Sequence, residues 1–287
     1  MAFTHYRTEG IFLKEEGRGE ADRLFTVFTK EFGKLDILGR AIRKINSKLR
    51  AGTELFCFSE IEFIQGKNYK TLTDVVPLNR FGGIKKSPLK LQTAAAIAEA
   101  VDIFIKGEEK DERIWELLLE VFQKIGENNA RPEFQGDSRR KVGNLASPRF
   151  SLELLFYYFL WRLFLFLGYA PDFYHCALCG KKLLPETFFF STVEGGIICW
   201  RCLKKRKEEV GISLGEGAVL LEEAANGADK KEEVICSISV ETVKLLRLFL
   251  KENVETVGRL KISRANIKNL EEVSEIYSAH LQKYFLR

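Results

Sequence analysis

The chain has 287 residues, 46% of them hydrophobic and 12% aromatic, with only 6 prolines, which excludes a disordered or low-complexity polymer and a small stapled scaffold. At about twice the length of a usual domain it should hold two or three cores. Lys and Arg number 45 against 40 Asp and Glu, a balance of +5 that admits a polyanionic partner only where the cations cluster.

The opening, Met1 to Glu9, is polar and carries Arg7 and Glu9, so no secretory leader is read there and the protein is expected in the cytoplasm. Tyr6 to Lys14, Arg23 to Thr29, Lys34 to Ala41, Thr53 to Gln65 and Tyr69 to Val76 read as strands. They are short, rich in Phe, Ile, Leu, Val and Thr, and parted by Gly-bearing turns. Five strands in about eighty residues suit a small closed barrel, an OB-fold first and an SH3-like barrel as the alternative.

After Pro77 the period becomes helical. Ser87-Pro88 starts one helix and Gly107 stops it; Asp111 caps a second, whose Ile114, Leu117, Leu118, Val121, Phe122 and Ile125 share a face before Gly126. Residues 127–148 lose the pattern and read as a mobile surface loop. The apolar run Phe150 to Leu167 contains Glu153 and Arg162. The stretch between those charges is well short of the ~18 residues a membrane span needs, so it reads as a buried helix with Trp161 and Phe164 in the core. Ser239 to Glu252 and Asn266 to Phe285 are again helical, the latter with Leu270, Val273, Tyr277, Leu281 and Tyr284 on one stripe.

Four of the 6 cysteines form two CxxC pairs, Cys176 with Cys179 and Cys199 with Cys202. Each pair presents two sulfurs from one turn, and a hairpin over Thr187 to Thr192 and Gly195-Gly196 brings the pairs together. This is the pattern of a tetrahedral four-thiolate zinc site. Four thiolates leave no open position for water, so the zinc is structural. A redox pair or buried free thiols are the competing reading. His175 is a neighbour rather than a ligand, and Cys57, in the fourth strand, and Cys236 read as small buried hydrophobes.

Between the third and fourth strands runs RAIRKINSKLR, with Arg40, Arg43, Lys44, Lys48 and Arg50 and no acid. At the mouth of an OB groove such cations would neutralise phosphates; the plainer reading is a solvated charged loop. A second cluster, Arg201, Lys204, Lys205, Arg206 and Lys207, follows the last cysteine and either extends that track or solvates a helix. Phe3, Tyr6, Phe12 and Tyr69 are candidate base-stacking platforms, although most strand aromatics are core. Catalytic machinery is missing: no phosphate-binding GxxxxGK[ST] loop, no HExxH pair and no deaminase pattern occur, which favours binding over catalysis.

The barrel with its basic connection, Gly39-Arg40-Ala41 running on through Ser47-Lys48-Leu49-Arg50, the stretch Leu167-Gly168-Tyr169-Ala170-Pro171 before Cys176, and the four cysteines together resemble the RecO family of bacterial recombination mediators. The resemblance runs nearly the whole chain. It implies an α+β architecture: an N-terminal five-stranded OB-fold barrel followed by an α-helical domain with an inserted four-cysteine zinc finger. The expected division is 1–80 for the nucleic-acid-binding barrel, 81–170 and 208–287 for the two parts of the helical domain, and 171–207 for the zinc-binding insertion. It further implies a non-enzymatic, nucleoid-associated protein that binds single- and double-stranded DNA, anneals complementary strands, acts with RecR, and recognises the C-terminal tail of single-stranded-DNA-binding protein so that recombinase can load. A zinc-stabilised RNA-binding adaptor, or a nucleic-acid enzyme on an OB-like barrel, is the alternative.

Overall fold

The computed structural model describes residues 4–127, 152–184, 187–210, 219–222 and 232–285, in two compact units, Met1–Phe159 and Leu160–Arg287. In the first, β1 (His5–Arg18), β2 (Asp22–Thr29), β3 (Gly33–Gly39), β4 (Phe58–Ile64) and β5 (Lys70–Asn79) close into a barrel of order β1-β2-β3-β5-β4. The long β1 pairs with β4 through its first half and with β2 through its second, and a short parallel contact, Ile37 with Lys70 and Leu38 with Thr71, closes the ring. This is an OB-like barrel, as expected.

Closure follows from alternation and bulges. Phe25 and Val27, Leu35 and Ile37, and Ile61 and Phe63 alternate inward and meet Phe12, Leu72 and Val75 in one buried cluster. Leu72 and Val75 are three apart, out of step with a strand's two-residue period. A register shift opposite Glu62 and Phe63 absorbs the extra residue, and another in β1 between Phe12 and Lys14 bends that strand between its two partners. β5 runs through Pro77, which lies opposite Ser59 beside a further register shift between Phe58 and Ser59, the kind of irregularity at which a strand admits proline.

Four boundaries of the barrel strands differ from the sequence reading by two residues or more. β1 runs to Arg18 rather than Lys14, β3 ends at Gly39 rather than Ala41, β4 starts at Phe58 rather than Thr53, leaving Cys57 ahead of the strand, and β5 runs to Asn79 rather than Val76. Residues 53–57 have strand-like composition, but Phe56 takes a left-handed φ of 60° and its amide bonds the Phe12 carbonyl at 2.8 Å, so local pairing with β1 wins.

α1 (Pro88–Phe104) and α2 (Glu112–Glu127) complete this unit with the start of α3 (Leu152–Phe166). Asp111 caps α2, its Oδ1 accepting from the amide of Arg113 at 2.9 Å, and all six foreseen face residues are buried. Gly126 lies inside α2 rather than after it, and the buried Lys90 donates to its carbonyl at 3.1 Å. Gly33 (φ 66°) is required where the β2–β3 turn meets the α1–α2 loop, because a Cβ there would stand 2.2 Å from the Glu109 carbonyl oxygen. Apart from Glu127, the segment read as a loop, 127–148, lies outside the described residues.

The second unit holds the rest of α3, β6 (Phe188–Ser191), β7 (Gly196–Cys199), α4 (Trp200–Val210), β8 (Val219–Glu222), β9 (Glu232–Ile238), α5 (Val240–Lys251), α6 (Val254–Gly258) and α7 (Arg264–Phe285). Its sheet is antiparallel, in the order β7-β6-β9-β8. Cys236 therefore lies in a strand, buried, and burial pushes its thiol up to about 12. Trp161 is fully buried, stacked on Tyr277 at 5.6 Å, and meets Phe164, Phe173 and Phe190 edge-on. Its indole N–H donates to Ser274 Oγ at 2.9 Å, and that hydroxyl donates to the Leu270 carbonyl at 2.6 Å, so the buried indole N–H and the serine hydroxyl are both satisfied. Among the described residues no helix is long and apolar enough to cross a membrane.

Candidate metal centre and nucleic-acid interface

The second unit's core fixes the chain leading into the cysteines. The Tyr277 hydroxyl donates to the Tyr169 carbonyl at 2.5 Å, and Arg247 donates twice to the Phe173 carbonyl, at 2.6 and 3.0 Å, with its guanidinium 4.5 Å above the Tyr174 ring. Cys176 and Cys179 then sit on a tight knuckle. The Cys176 amide bonds the Lys181 carbonyl at 2.9 Å, and the Gly180 amide bonds the Cys176 carbonyl at 2.9 Å, with Gly180 left-handed at φ 67°. The Ala177 amide donates to Ile197 in β7 at 2.8 Å, docking the knuckle on the hairpin whose end is Cys199 and whose following helix carries Cys202.

The four Sγ atoms lie within 4.8 Å of one another, with Cys179 and Cys199 at 4.0 Å. A tetrahedral zinc with bonds of about 2.3 Å needs sulfurs about 3.8 Å apart, so a small contraction would complete the shell. The titration of the group fits a cation. Burial opposes ionisation of Cys176, but the amide hydrogens of Cys199, Cys179 and Leu178 outweigh it and bring the thiol down to about 7. Burial and the neighbouring sulfurs, including the charge on Cys176, push Cys202 far up. One thiolate thus holds another neutral unless a positive ion joins them, and the group could hold a metal ion. His175 faces away from this role in its contacts, its Nδ1 lying 2.7 Å from an Asp172 carboxylate oxygen.

The basic connection is built by two anchors. β3 ends as Ala41 turns left-handed (φ 51°), its amide donating to Asp22 Oδ1 at 2.7 Å. Ile42 then drops into the barrel cluster, and Leu49, in the short 3-10 turn Lys48–Ala51, packs against the same cluster. Between and beside these anchors Arg40, Arg43, Lys44, Lys48 and Arg50 are all exposed, and none makes an ion pair among the described residues.

Arg43 and Arg50 come together at a groove of about 660 Å³ shared with Arg23, Lys85, Glu15 and Glu54; Arg40, Lys44 and Lys48 do not line it. Arg23 pairs with Glu15 at 2.5 Å, and Lys85 pairs with Glu54. The Lys85 hydrogen bond, helped by the charges of Lys85, Arg80 and Arg50, holds the Glu54 carboxyl below its usual range against the cost of burial. Arg23 and Lys85 escaped sequence reasoning because neither belongs to the basic run 40–50; only the fold brings them beside Arg43 and Arg50.

The stacking candidates divide. Phe12 is fully buried in the barrel and cannot meet a base, which corrects that expectation. Tyr6 stacks on Phe63 at 5.4 Å, Tyr69 lies under Arg18 at 4.9 Å and accepts its hydrogen bond at 2.6 Å, and Phe3 lies outside the described residues. In the second cluster Arg201, Lys204 and Lys205 are exposed on α4, Arg206 pairs with Glu194 at 3.2 Å, and the Lys207 side chain lies outside the described residues.

A family model for the N-terminal part of recombination protein O matches residues 1–81, and one for its C-terminal part matches residues 144–228. The DNA repair protein RecO of Dehalococcoides mccartyi strain 195 is 29% identical over 266 residues, covering 93% of this chain and 86% of its own length. That of Roseiflexus sp. is 28% identical over 276 residues, 96% of this chain and 81% of its own. That of Acetivibrio thermocellus is 27% identical over 253 residues, 88% and 92% respectively. With both family models matched in order and relatives aligned along most of its length, the chain belongs to the RecO family of DNA repair proteins.

Proposed function

We propose that the protein is a non-enzymatic mediator that binds single- and double-stranded DNA through the barrel and anneals complementary strands, acting with RecR and with the C-terminal tail of single-stranded-DNA-binding protein to load recombinase at the nucleoid. The observation that carries this reading is the exposed, unpaired group Arg40, Arg43, Lys44, Lys48 and Arg50 on one connection anchored by Ile42 and Leu49. Such a surface neutralises successive phosphates and is indifferent to sequence, which is what a mediator acting at any break requires.

Annealing needs no bond made or broken in the protein's own substrate. Screening the charge of two strands at one surface lowers their mutual repulsion, and base pairing does the rest. In this reading Cys176, Cys179, Cys199 and Cys202 hold one structural zinc that fixes residues 171–207 as a finger between helical parts 81–170 and 208–287. The metal supplies rigidity, and four sulfurs leave it no site for water. The tail of single-stranded-DNA-binding protein docks on the helical part.

Gel shifts with single-stranded, duplex and RNA oligonucleotides of matched length test the reading. The expected result is binding to both DNA forms, weakening steeply with salt and independent of sequence. Tight binding to RNA with none to DNA would favour the adaptor reading instead.

A further inference from the structure

Ile45 does not belong with its neighbours. It is 91% exposed, the largest exposure among the big hydrophobic side chains of the described residues, and it stands in the middle of the five cations. The spacing of Ile42, Ile45 and Leu49 would place all three on one face of a helix. The chain instead makes successive turns, the Lys44 amide bonding the Ala41 carbonyl at 3.1 Å and the Ser47 amide bonding the Lys44 carbonyl at 3.0 Å. Ile42 and Leu49 therefore go into the barrel and Ile45 is held out on a backbone that is pinned at both ends.

An isolated surface isoleucine is unremarkable in itself. This one is presented as a knob, with Arg43, Lys44 and Lys48 exposed beside it. Its partner must therefore be a polyanion that offers apolar surface between its charges. An acidic peptide would need a groove to lie in, and Ile45 projects. A lipid surface satisfies the charge, but a segment that lies in a membrane brings a broad apolar face, whereas Ile45 is followed by Asn46 and Ser47. Nucleic acid fits both features, since phosphates line the outside and aliphatic side chains can enter between bases. Single strands part their bases at the least cost.

We propose that Ile45 is a wedge that enters between adjacent bases of single-stranded DNA while Arg43, Lys44 and Lys48 hold the flanking phosphates. This rests on the reading of the connection as the DNA interface. Bases opened from their own stack are presented to a complementary strand, which couples the wedge to annealing.

The test uses the full chain and an oligo-dA strand carrying one 2-aminopurine, whose emission rises when it is unstacked. Wild type is expected to raise the emission on binding. Ile45→Ser should remove most of that rise and weaken binding roughly 10-fold, the worth of one buried aliphatic side chain, at an unchanged salt slope. Ile45→Leu should retain both. Wild-type emission and affinity in Ile45→Ser would overturn the wedge. Joint replacement of Arg43, Lys44, Lys48 and Arg50 by Ala separates the two levels. If that variant binds as wild type does, the interface reading itself has failed; if it loses binding while Ile45→Ser does not, only the wedge has. Ile45-dependent binding to phosphatidylglycerol vesicles, with 2-aminopurine emission untouched by Ile45→Ser, would assign the knob to lipid and overturn the proposal.

Discussion

Replacing Arg43, Lys44, Lys48 and Arg50 together by Ala is expected to weaken binding to every single-stranded sequence about equally and to flatten its dependence on salt. Each neutralised phosphate releases condensed counterion, with a slope near ~0.7 per contact on single strands, so four contacts account for roughly 2 to 3 units. The fold should survive, because the side chains that tie the connection to the barrel, Ile42 and Leu49, are untouched and the four cations are exposed. Metal content should be unchanged, since the cysteines lie in the other compact unit. Circular dichroism, metal analysis and binding isotherms at several salt concentrations check the three parts. Unchanged affinity and slope in a folded variant would make the connection a solvated loop and move the search to Arg201, Lys204 and Lys205.

The second large effect concerns the cysteines. Freshly purified, reduced protein should carry one zinc per chain, and Cys199→Ser with Cys202→Ser should carry none. Structural zinc binds with an apparent free energy of about 10 to 16 kcal/mol near neutral pH, so its loss should unfold the finger and lower the melting temperature of the full chain. The barrel's affinity for DNA should remain. Acid should release the metal, because protons compete with it for the four sulfurs. Absence of zinc in the wild-type protein, or equal stability of the double variant, would contradict this account.

Where one periodicity governed, the sequence was readable. The face of α2, Trp161 and Phe164 of the apolar α3, and Leu270, Val273, Tyr277 and Leu281 of the α7 stripe are buried as expected, since a three-turn pattern outweighs local accidents; the Tyr284 side chain lies outside the described residues. The cysteine spacing located the cluster of four thiols that could hold a metal ion, because two CxxC turns constrain the chain more than any propensity does.

The misses have physical causes. Residues 53–57 look like strand, but a left-handed Phe56 bonded to Phe12 breaks the run. β8 has 4 residues, and β9 opens on two Glu and breaks its apolar run with Ser237, so its strand character comes from pairing with β6, a non-local contact. Phe12 was a plausible platform only while its direction was unknown; the barrel's alternation sends it inward. Ile45 is one of three large apolar residues in the basic run, and nothing in the sequence distinguishes it from Ile42 and Leu49, which have the same chemistry and the opposite fate.

Annealing is the measurement closest to the central claim, that this protein brings complementary strands together on a cationic barrel without chemistry of its own. Two complementary oligonucleotides, one with a donor and one with an acceptor fluorophore, are mixed with the full chain in the absence of any nucleotide. The account predicts that energy transfer appears many times faster than without protein, that added salt suppresses it, and that the variant lacking Arg43, Lys44, Lys48 and Arg50 loses most of the acceleration. A rate no faster than the spontaneous one, or acceleration that requires ATP, would contradict it.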